Sequence, residues 1–447
     1  MPDTIYALSS AAGRAAVAVI RVSGSGAAKS VTDLTRRPLP APRRASFRKI
    51  RIPETGEVID EGLVLFFPGP NSATGEDLAE FQVHGGRAII QAMFDALDCF
   101  EGFRPAEPGE FARRGFDNGK IDLTAAEGIA DLIDAETEAQ RRQAQAQAGG
   151  ALTALYDGWR YELIQAQALV EAAIDFSDEG DVGEQAYRGA LNIVTPLADN
   201  IAKHLAAARS GEIIRSGFRV VIAGPPNAGK SSLLNALAKR DVAIVSDEAG
   251  TTRDAIEIHL DLDGLLVIVT DTAGLRTAAS RIEQEGIRRT FDRARAADLV
   301  LWVQDATAQS SVDIPDELAS IDCINVCNKV DLLADIVSVS TMDQNKDTIA
   351  ISVKEEVGLE RLAAAIVASA RRAMYMTDQV VPTNARHKKH LSIAADQLRL
   401  FLGADMSDLE LRAEDLRIAA SALGRLTGRI DVEDILDQIF SRFCVGK

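Results

Sequence analysis

The feature that most constrains the fold of this sequence is the run G-P-P-N-A-G-K-S at residues 224–231, directly after the apolar run 218–223. A strand that leads into G-x-x-x-x-G-K-S and then into a helical run, here 232–239, is the context of a phosphate-binding P-loop. The glycines let consecutive N–H groups face phosphates, and the helix adds the positive end of its dipole. In such a loop Lys230 reaches the β- and γ-phosphates and Ser231 ligates Mg²⁺. The alternative is a glycine-rich turn that only caps a helix, and the preceding strand argues against it.

A second segment supplies a carboxylate for the metal. The apolar run 267–270 leads into Asp271-Thr272-Ala273-Gly274, a D-x-x-G sequence. Its carboxylate can hold Mg²⁺ through water, and the Gly274 N–H can meet the γ-phosphate. The loop from Asp247 to Asp254 is suited to a switch that closes a threonine on Mg²⁺ and the γ-phosphate.

Two further segments indicate that the base is guanine. Residues 328–331 form an N-K-x-D sequence after the strand-like run 324–327, and Ser352-Val353-Lys354 resembles the loop behind the base. Asp331 only accepts hydrogen bonds, so it pairs with the N1–H and 2-amino donors of guanine. Adenine offers no such pair and would leave the carboxylate unsatisfied, at a cost of about 1–3 kcal/mol. Four motifs in this order, each at the end of a predicted strand, predict a GTPase.

Length and composition predict the class of protein. A chain of 447 residues is long enough for about three domains. It has no signal-peptide pattern and no apolar run near ~18 residues, so we expect a soluble, cytoplasmic protein without a membrane segment. The four cysteines, Cys99, Cys323, Cys327 and Cys444, form no metal-like cluster and are expected to be reduced. Cys323 and Cys327 lie four residues apart on a predicted strand and are expected to be buried thiols.

The net charge of −17 argues against broad coating of nucleic acid, but it permits a local basic patch. Any RNA contact is expected outside the GTPase segment, where the basic groups are Arg36-Arg37, Arg43-Arg44, Arg48-Lys49-Ile50-Arg51, Arg113-Arg114 and Arg141-Arg142. Solvated surface charge is the alternative for each group.

The pattern along the chain predicts a multidomain protein with α/β and all-α parts. We expect an N-terminal α/β domain at 1–118, a helical domain at 119–215, an inserted Ras-like P-loop GTPase domain at 216–380 and a second helical part at 381–447. In the first domain, strands are predicted at 17–22, 62–67 and 78–83 and a helix at 86–97. Gly149-Gly150 predicts a break between two long helices. Arg21 and Glu80 on these strands face solvent or line a pocket, and the pattern does not choose.

The hydrolytic machinery departs from the Ras pattern at one position. Leu275 stands directly after D-x-x-G, where Ras-type enzymes have the glutamine that orients the attacking water. Another group has to do this, and the candidates that follow are Arg276, Glu283 and Glu285.

From end to end, the chain resembles the bacterial and organellar tRNA-modification GTPase family (MnmE/TrmE). The segments that carry the resemblance, besides the GTPase motifs, are T-G-E-D at 74–77 with Glu80, H-G-G at 84–86, P-G-E-F at 108–111, N-G-K-I-D-L at 118–123, A-G-T-T-R-D at 249–254 and F-C-V-G-K at 443–447. Ribosome-assembly GTPases share the GTPase core but lack the N-terminal and C-terminal segments, so the match is specific.

The resemblance implies a set of site residues in the GTPase domain. Glu283 and Lys230 are the expected catalytic residues, and Ser231 and Thr252 the Mg²⁺ ligands. A K⁺ ion is expected to lie against the phosphates, held by Asn227, Ser246, Glu248 and Thr251. Together with the motifs, the nucleotide-binding set is Asn227, Ala228, Gly229, Lys230, Ser231, Ser232, Ser246, Asp247, Glu248, Ala249, Gly250, Thr251, Thr252, Asp271, Thr272, Ala273, Gly274, Asn328, Lys329, Asp331, Ser352, Val353 and Lys354.

The resemblance also implies the reaction and its partners. Family members act with an FAD-containing partner of the MnmG/GidA type, in a heterotetramer or larger assembly. They install a carboxymethylaminomethyl or aminomethyl group on C5 of the wobble uridine (position 34) of certain tRNAs. A 5-formyl- or 5,10-methylene-tetrahydrofolate supplies the one-carbon unit, and the N-terminal domain binds folate and forms a homodimer. The matching folate contacts are Arg21, Glu80, Lys120 and Lys447; Cys444 is either a participant in the chemistry or a structural thiol.

A few positions depart from the family pattern. They are Ala73 in place of an aromatic residue, Gly115 and Val353 in place of alanine, and Val445 in place of isoleucine. Only Ala73 bears on the expected folate pocket. The competing hypothesis is a GTPase switch in ribosome assembly that binds RNA without modifying it. That hypothesis predicts a dedicated RNA module, such as a KH domain, or a basic tail, and neither is recognised in this sequence.

Overall fold

A computed structural model describes residues 3–11, 13–176, 180–240, 243–244, 257–271, 296–308, 314–318, 321–333, 348–374, 380–403, 408–430, 433–441, 443 and 445–446. The described chain forms two compact units. Unit 1 comprises residues 1–130, 147–161 and 420–447, and unit 2 comprises residues 131–146 and 162–419.

Unit 1 contains a six-stranded sheet with the order β3-β4-β5-β2-β1-β6. Its strands are β1 (Thr4–Leu8), β2 (Ala15–Ser23), β3 (Ser46–Arg51), β4 (Val58–Phe67), β5 (Leu78–Gly85) and β6 (Phe103–Pro105). All neighbouring pairs are antiparallel except β1 and β6, which are parallel. Buried and more exposed residues alternate along β3 and β4, so one face of the sheet is buried under the helices that follow.

Three helices accompany this sheet: α1 (Ala27–Thr35), α2 (Arg87–Asp98) and α3 (Glu110–Asp117). The core between sheet and helices includes Ile20, Val22, Phe81, Met93 and Leu97, all buried. The C-terminal residues also join this unit, because Val445 pairs with Pro108 in an antiparallel bridge and the Ser9 hydroxyl donates to the Gly446 carbonyl at 2.8 Å.

Unit 2 contains a seven-stranded sheet with the order β13-β12-β11-β7-β10-β9-β8. The strands are β7 (Phe218–Ala223), β8 (Ala243–Ile244), β9 (Glu257–Leu262), β10 (Leu265–Asp271), β11 (Leu299–Asp305), β12 (Asp322–Asn328) and β13 (Thr348–Ala350). From β13 to β10 all pairs are parallel, whereas β9 and β8 are antiparallel. The central strands β7 and β11 are buried almost throughout, as expected of a sheet covered on both faces.

The remaining helices are α4 (Leu123–Ile133), α5 (Glu138–Ala148), α6 (Ala151–Asp175), α7 (Gly180–Ala206), α8 (Ala208–Ser216), α9 (Lys230–Arg240), α10 (Leu359–Ala373), α11 (Ala385–Leu402), α12 (Leu409–Thr427) and α13 (Glu433–Phe440). Helix α7 precedes the nucleotide-binding sheet in the chain and α11 follows it, yet the two pack together, with Tyr187 against Phe401 at a ring-centroid distance of 5.8 Å. The break at Gly149-Gly150 is confirmed, since α5 ends at Ala148 and α6 begins at Ala151.

The strands predicted from apolar runs are present with slightly wider bounds. The short strands β1 and β6 and the charged edge strand β3 were not predicted, because such short or charged segments lack a strong period. No helix in the described ranges is both long and apolar enough to cross a lipid bilayer.

Candidate functional site

The nucleotide motifs lie at one edge of the seven-stranded sheet. Gly224 follows β7, Asp271 ends β10, Asn328 ends β12 and Ser352 comes shortly after β13. These strands are parallel, so their carboxyl ends meet at the same edge, where ligands of open α/β sheets bind. The sheet therefore brings together motifs that are up to 128 residues apart in the sequence (352 − 224).

The P-loop has the backbone that its glycines permit. Gly224 and Gly229 have φ of +139° and +93°, and Asn227 has φ of +62°, a left-handed conformation that asparagine tolerates better than most residues. A Cβ at Gly224 would lie 2.1 Å from the Val303 carbonyl oxygen, and one at Gly229 would lie 2.3 Å from the Asn328 Nδ2. Both positions therefore exclude any residue larger than glycine.

Lys230 and Ser231, the first residues of α9, are held by groups of the site itself. The Lys230 ammonium donates to the carbonyl oxygens of Gly224 and Pro225 at 2.9 and 2.8 Å. The Ser231 hydroxyl donates to Asp271 Oδ2 at 2.6 Å. A hydroxyl and a carboxylate at this distance supply the oxygen donors that Mg²⁺ prefers.

The guanine-reading segment is tied to the P-loop. Asn328 donates from Nδ2 to the Ala228 carbonyl at 2.9 Å, and its Oδ1 accepts from the Val353 N–H at 3.2 Å. The Lys329 ammonium donates to the Asn227 carbonyl at 2.8 Å. These bonds fix the distance between the phosphate-binding loop and the base-binding loop.

Asp331 faces the predicted base-backing loop. Its Oδ1 accepts a hydrogen bond from the Ser352 hydroxyl at 2.6 Å, and that hydroxyl also accepts from the Glu355 N–H at 3.2 Å. The base-backing loop is held next to β12 because the Ile351 N–H donates to the Cys327 carbonyl at 2.8 Å. The Lys354 ammonium lies 3.5 Å from Glu355 Oε1, and among the residues that the structure describes it has no hydrogen bond to the other nucleotide motifs.

Sequence reasoning missed Asp305, which ends β11 between the D-x-x-G and N-K-x-D segments. Its Oδ2 accepts from the Lys329 ammonium at 2.6 Å. The Lys329 hydrogen bond, against a small opposing effect of burial, holds the pKa of Asp305 at about 2. The sequence signal that could have predicted this role is a carboxylate directly at the end of an apolar run, because the apolar run indicates a buried parallel strand.

The Arg21 and Glu80 side chains, for which the pattern left two readings open, bind each other. They occupy paired positions on β2 and β5, and two Arg21 N–H groups donate to Glu80 Oε1 at 3.1 and 2.8 Å. Their side chains are 24% and 17% exposed, so neither faces open solvent. The Arg21 guanidinium also lies 5.9 Å from the centre of the Phe111 ring on α3.

The T-G-E-D segment forms a polar network with α3 and the loop after it. Glu76 accepts from Arg114 and from the Ser23 hydroxyl, at 3.0 and 2.9 Å to Oε2. The Asn118 amide donates to the Thr74 carbonyl at 2.7 Å. Arg114 also binds Glu110 and Asp3, and Asp3 and Glu110 both bind Arg104. Sequence reasoning did not identify this network, because its members come from four separate segments.

Lys120 lies beside the same segment. A Cβ added at Gly75 would come within 3.2 Å of the Lys120 Cε, so the lysine side chain packs along that glycine. Lys120 is exposed, and the described part of the chain offers its ammonium no carboxylate partner. An ammonium left without a counter-charge can receive an anionic group.

Several predicted site residues lie outside the described residues: Ser246, Asp247, Glu248, Ala249, Gly250, Thr251, Thr252, Thr272, Ala273, Gly274, Glu283, Cys444 and Lys447, with Leu275, Arg276 and Glu285. Within the described ranges no three His, Cys, Asp or Glu side chains gather as a metal site. Cys323 and Cys327, which were predicted to be buried, are half-buried, and Cys99 is exposed. Cys99 lies near the end of α2, on a turn of the helix that the core does not cover.

Comparison with known proteins covers both parts of the chain. The sequence profile described as "GTP-binding protein TrmE N-terminus" matches residues 4–120, and the one described as "MnmE helical domain" matches residues 123–444. Among solved structures, the G domain of the T. maritima FeoB iron transporter matches 34% of this chain and 98% of its own length at 26% identity, with a TM-score of 0.25. That TM-score is too low to support an argument.

Full-length relatives give a consistent result. The tRNA modification GTPase MnmE of Parvibaculum lavamentivorans is 51% identical over 447 residues, which is 100% of both chains. Those of Beijerinckia indica and Paramagnetospirillum magneticum are each 49% identical, covering 100% of this chain and 96% and 100% of their own length. The similarity extends through the N-terminal and helical parts of the chain, and the chain therefore belongs to the MnmE family of tRNA modification GTPases.

Proposed function

We propose that this protein is a potassium-activated GTP hydrolase that, with an FAD-dependent partner, modifies C5 of the wobble uridine of certain tRNAs. The group installed is carboxymethylaminomethyl or aminomethyl, and a tetrahydrofolate supplies the one-carbon unit. The observation that carries the GTPase part is the hydrogen-bonded connection between the P-loop and the N-K-x-D segment, through Asn328 and Lys329. The tRNA part rests on membership of the family.

GTP binding requires the site's own bonds to be exchanged for bonds to the nucleotide. The Lys230 ammonium donates to two backbone carbonyls of its own loop, and we assign it to the β- and γ-phosphates. The Ser231–Asp271 pair is where Mg²⁺ would be held, with Thr252 of the switch loop as the further ligand. Mg²⁺ when bound neutralises the charge that develops on the phosphates.

Guanine selection is assigned to Asp331. Its carboxylate presents two acceptor oxygens, and the guanine N1–H and 2-amino groups are two adjacent donors. The Ser352 hydroxyl that binds one of these oxygens also fixes the direction of the carboxylate. The remaining predicted nucleotide contacts, from Asn227 through Ser232 and from Ser246 through Thr252, surround the phosphates in this proposal.

The potassium site is assigned to Asn227, with Ser246, Glu248 and Thr251. Support comes from the left-handed backbone of Asn227 at the head of the P-loop and from its exposed side chain, which has no hydrogen-bond partner within the described ranges. A bound K⁺ would supply positive charge near the phosphates. Glu283 is proposed to orient the attacking water, because Leu275 has no polar group.

The folate is assigned to Arg21, Glu80, Lys120 and Lys447. Both Arg21 bonds fall on Glu80 Oε1, so Oε2 remains available to accept from N–H groups of a pterin. The Lys120 ammonium is suited to a carboxylate of the folate glutamate tail. Cys444 is retained as a candidate participant in the modification chemistry.

Other features complete the proposal. The protein works in the cytoplasm as a homodimer, joined through its N-terminal domain, and binds an MnmG/GidA-type partner in a heterotetramer or larger assembly. Its domains are those proposed from the sequence, at 1–118, 119–215, 216–380 and 381–447.

Potassium activation is tested by GTP turnover in KCl and in NaCl at equal ionic strength. The Asn227→Gly variant tolerates φ of +62° while removing the side-chain carbonyl, so it separates ion binding from backbone strain. Asn235→Ala, an exposed asparagine on α9, is the matched control. We expect stimulation of about tenfold or more by KCl, lost only in Asn227→Gly. Equal rates in both salts would refute the potassium mechanism.

The modification is tested with purified partner, tetrahydrofolate and unmodified tRNA, followed by mass spectrometry of the nucleosides. Lys120→Met is expected to weaken 5-formyl-tetrahydrofolate binding by about tenfold or more, the value of a charge-assisted hydrogen bond, while Lys388→Met is without effect. If Lys120→Met binds the folate with unchanged affinity, the assigned site is wrong.

A further inference from the structure

The segment 34–53 of the N-terminal unit contains seven arginine and lysine residues and no aspartate or glutamate. This is unusual in a chain whose net charge is −17. We call six of these side chains the basic surface: Arg36, Arg37, Arg43, Arg44, Lys49 and Arg51. The seventh, Arg48, is buried, with a relative exposure of 7%. We call it the anchor, because its hydrogen bonds hold the loop that carries the basic surface.

Carboxylates neutralise two other basic pairs of the sequence, 113–114 and 141–142, whereas within the described ranges most of the basic surface has no carboxylate partner. Arg113 pairs with Asp437, and Arg114 with Asp3, Glu76 and Glu110. Arg141 and Arg142 share Glu138. In the basic surface, by contrast, only Lys49 has a carboxylate partner within the described ranges, Glu61 at 3.1 Å.

The basic surface is held by hydrogen bonds to backbone carbonyls. Buried Arg48 donates to the Pro38 carbonyl at 2.7 Å and to the Thr35 hydroxyl at 3.1 Å, which fixes the loop after α1 against β3. Arg36 has φ of +50° and donates to the Pro53 carbonyl at 3.1 Å, while Arg51 donates to the Gly56 carbonyl at 2.9 Å. A carbonyl orients a guanidinium without cancelling its charge.

The second half of the loop is fixed in the same way. The Arg43 N–H donates to the Phe66 carbonyl at 2.9 Å, its guanidinium binds the Asn71 carbonyl, and it lies 5.9 Å from the centre of the Phe67 ring. Burial lowers the pKa of Arg48, and the positive charge of Arg37 lowers it further. The guanidinium groups of Arg37 and Arg44 are exposed and have no partner within the described ranges.

An aromatic side chain lies within this charged surface. Phe47 is 63% exposed and shares the outer face of edge strand β3 with Lys49, because alternate residues of a strand point to the same side. Positive charge that tracks a phosphate backbone, combined with an exposed ring on which a base can stack, is the arrangement of single-stranded RNA-binding surfaces.

We propose that the basic surface binds the phosphate backbone of RNA, with Phe47 stacking on an unpaired base. This inference rests on the proposed function for the identity of the RNA, which is the substrate tRNA. An acidic segment of a protein would also meet the charges. RNA is favoured because several guanidinium groups are pre-oriented on one fixed loop and because an exposed aromatic ring lies among them.

The test is a titration of fluorescently labelled tRNA with the full-length protein at several salt concentrations. Arg37→Gln/Arg44→Gln removes the two exposed, unpartnered charges. We expect about tenfold weaker binding at low salt and a salt slope that is smaller by about 2, the number of phosphate contacts removed. Arg141→Gln/Arg142→Gln, which removes two exposed charges from another element, is expected to keep both the affinity and the slope.

Further variants keep the result interpretable. Arg37→Lys/Arg44→Lys retains the charge and should bind within about threefold of wild type, and Phe47→Ala should weaken binding about tenfold without changing the salt slope. GTP turnover and the thermal melting of every variant are measured in parallel and are expected to be unchanged.

Three outcomes of the tRNA titration overturn the proposal: absence of tRNA binding by the wild type, an unchanged salt slope in Arg37→Gln/Arg44→Gln, and an equal loss of affinity in Arg141→Gln/Arg142→Gln. A parallel titration uses polyglutamate as a probe for an acidic protein segment. The proposal is also overturned if Arg37→Gln/Arg44→Gln loses binding to polyglutamate while its tRNA binding is intact. Nucleoside analysis of the same tRNA tests the proposed function separately. If wild type binds tRNA through this surface but modifies no uridine with partner and folate, the proposed function fails and the basic surface stands.

Discussion

The Arg114 guanidinium of the N-terminal network and the Lys230 ammonium of the nucleotide site are held by different kinds of group. Arg114 in unit 1 is paired with three carboxylates and its side chain is only 11% exposed. Lys230 in unit 2 donates to backbone carbonyls of its own loop. The carboxylates cancel the charge of Arg114, whereas a carbonyl orients an ammonium group without supplying a counter-charge.

This difference separates groups that stabilise the fold from groups that act on a ligand. Removing one partner of a buried, neutralised cluster leaves an uncompensated charge in the fold. Removing a cation that rests on carbonyls costs the fold little and costs the bound nucleotide its electrostatic partner. Variants in the two regions should therefore change different measurements.

The largest effect is expected for Lys230→Ala. GTP turnover should fall by about 10²–10³-fold, because the phosphates lose a pre-oriented positive charge. The melting temperature should stay close to that of wild type. The control is Lys239→Ala, an exposed lysine in the last turn of the same helix. A protein that melts earlier while still hydrolysing GTP at the normal rate would reverse the comparison.

Arg114→Ala is expected to do the opposite and destabilise unit 1 by about 2–4 kcal/mol, because Glu76, Glu110 and Asp3 lose a shared partner. The measurement is fluorescence of Trp159 during denaturant unfolding. A Trp302→Phe background leaves that single tryptophan, since the chain has two. Arg113→Ala, whose partner Asp437 is 81% exposed, should cost less than about 1 kcal/mol. Equal effects of the two variants would contradict the structural role of the network.

Asp331→Asn should change the choice of nucleotide by about tenfold to a hundredfold, the consequence of replacing an acceptor by a donor against guanine. The amide instead matches the C2 carbonyl of xanthine, so turnover of XTP should rise relative to GTP. Competition between the two nucleotides in one assay measures the ratio. Asp305→Asn is the control, because it removes a nearby carboxylate that holds Lys329 and not the base.

Acid should unfold unit 1 through the network. Burial by itself would raise the pKa of Glu110, but hydrogen bonds from Arg104, the Glu107 N–H and Arg114 outweigh it and keep the pKa below its ordinary value. A carboxyl group whose pKa is lower in the folded state stabilises the fold at pH values above its pKa in the unfolded chain. This stabilisation is lost as the pH falls through the pKa of the folded state. Trp159 unfolding followed from pH 6 to about pH 3 should show the loss, and Glu110→Gln should flatten it. A flat wild-type profile would exclude the network as its origin.

The smallest effect concerns thiol reactivity. Burial raises the pKa of the Cys327 and Cys323 thiols, the latter also through Asp322, so few thiolates are present near neutral pH. Cys99 is exposed. In a Cys444→Ser background, a thiol reagent should label one site quickly and two slowly. Three equal rates would show that burial does not control these thiols.

Sequence reasoning could predict that the nucleotide motifs follow strands, because each motif is local. The strand and the motif that follows it are contiguous, and parallel strands necessarily bring their ends to one edge. The Arg21–Glu80 pair could not be predicted, because the register between β2 and β5 is a non-local property. The burial of Arg48 and the role of Asp305 were hidden for the same reason, since each depends on a neighbour from another segment.

The pairing of Val445 with Pro108 and of Ser9 with Gly446 has a consequence for how the protein is made. The N-terminal domain emerges first from the ribosome, but two of its contacts involve residues translated more than 330 positions later than their partners (445 − 108 = 337). At about 5–20 residues per second, the first domain waits roughly 17–70 s for them. A prematurely terminated chain would therefore carry an unfinished first domain even when that domain's own sequence is intact.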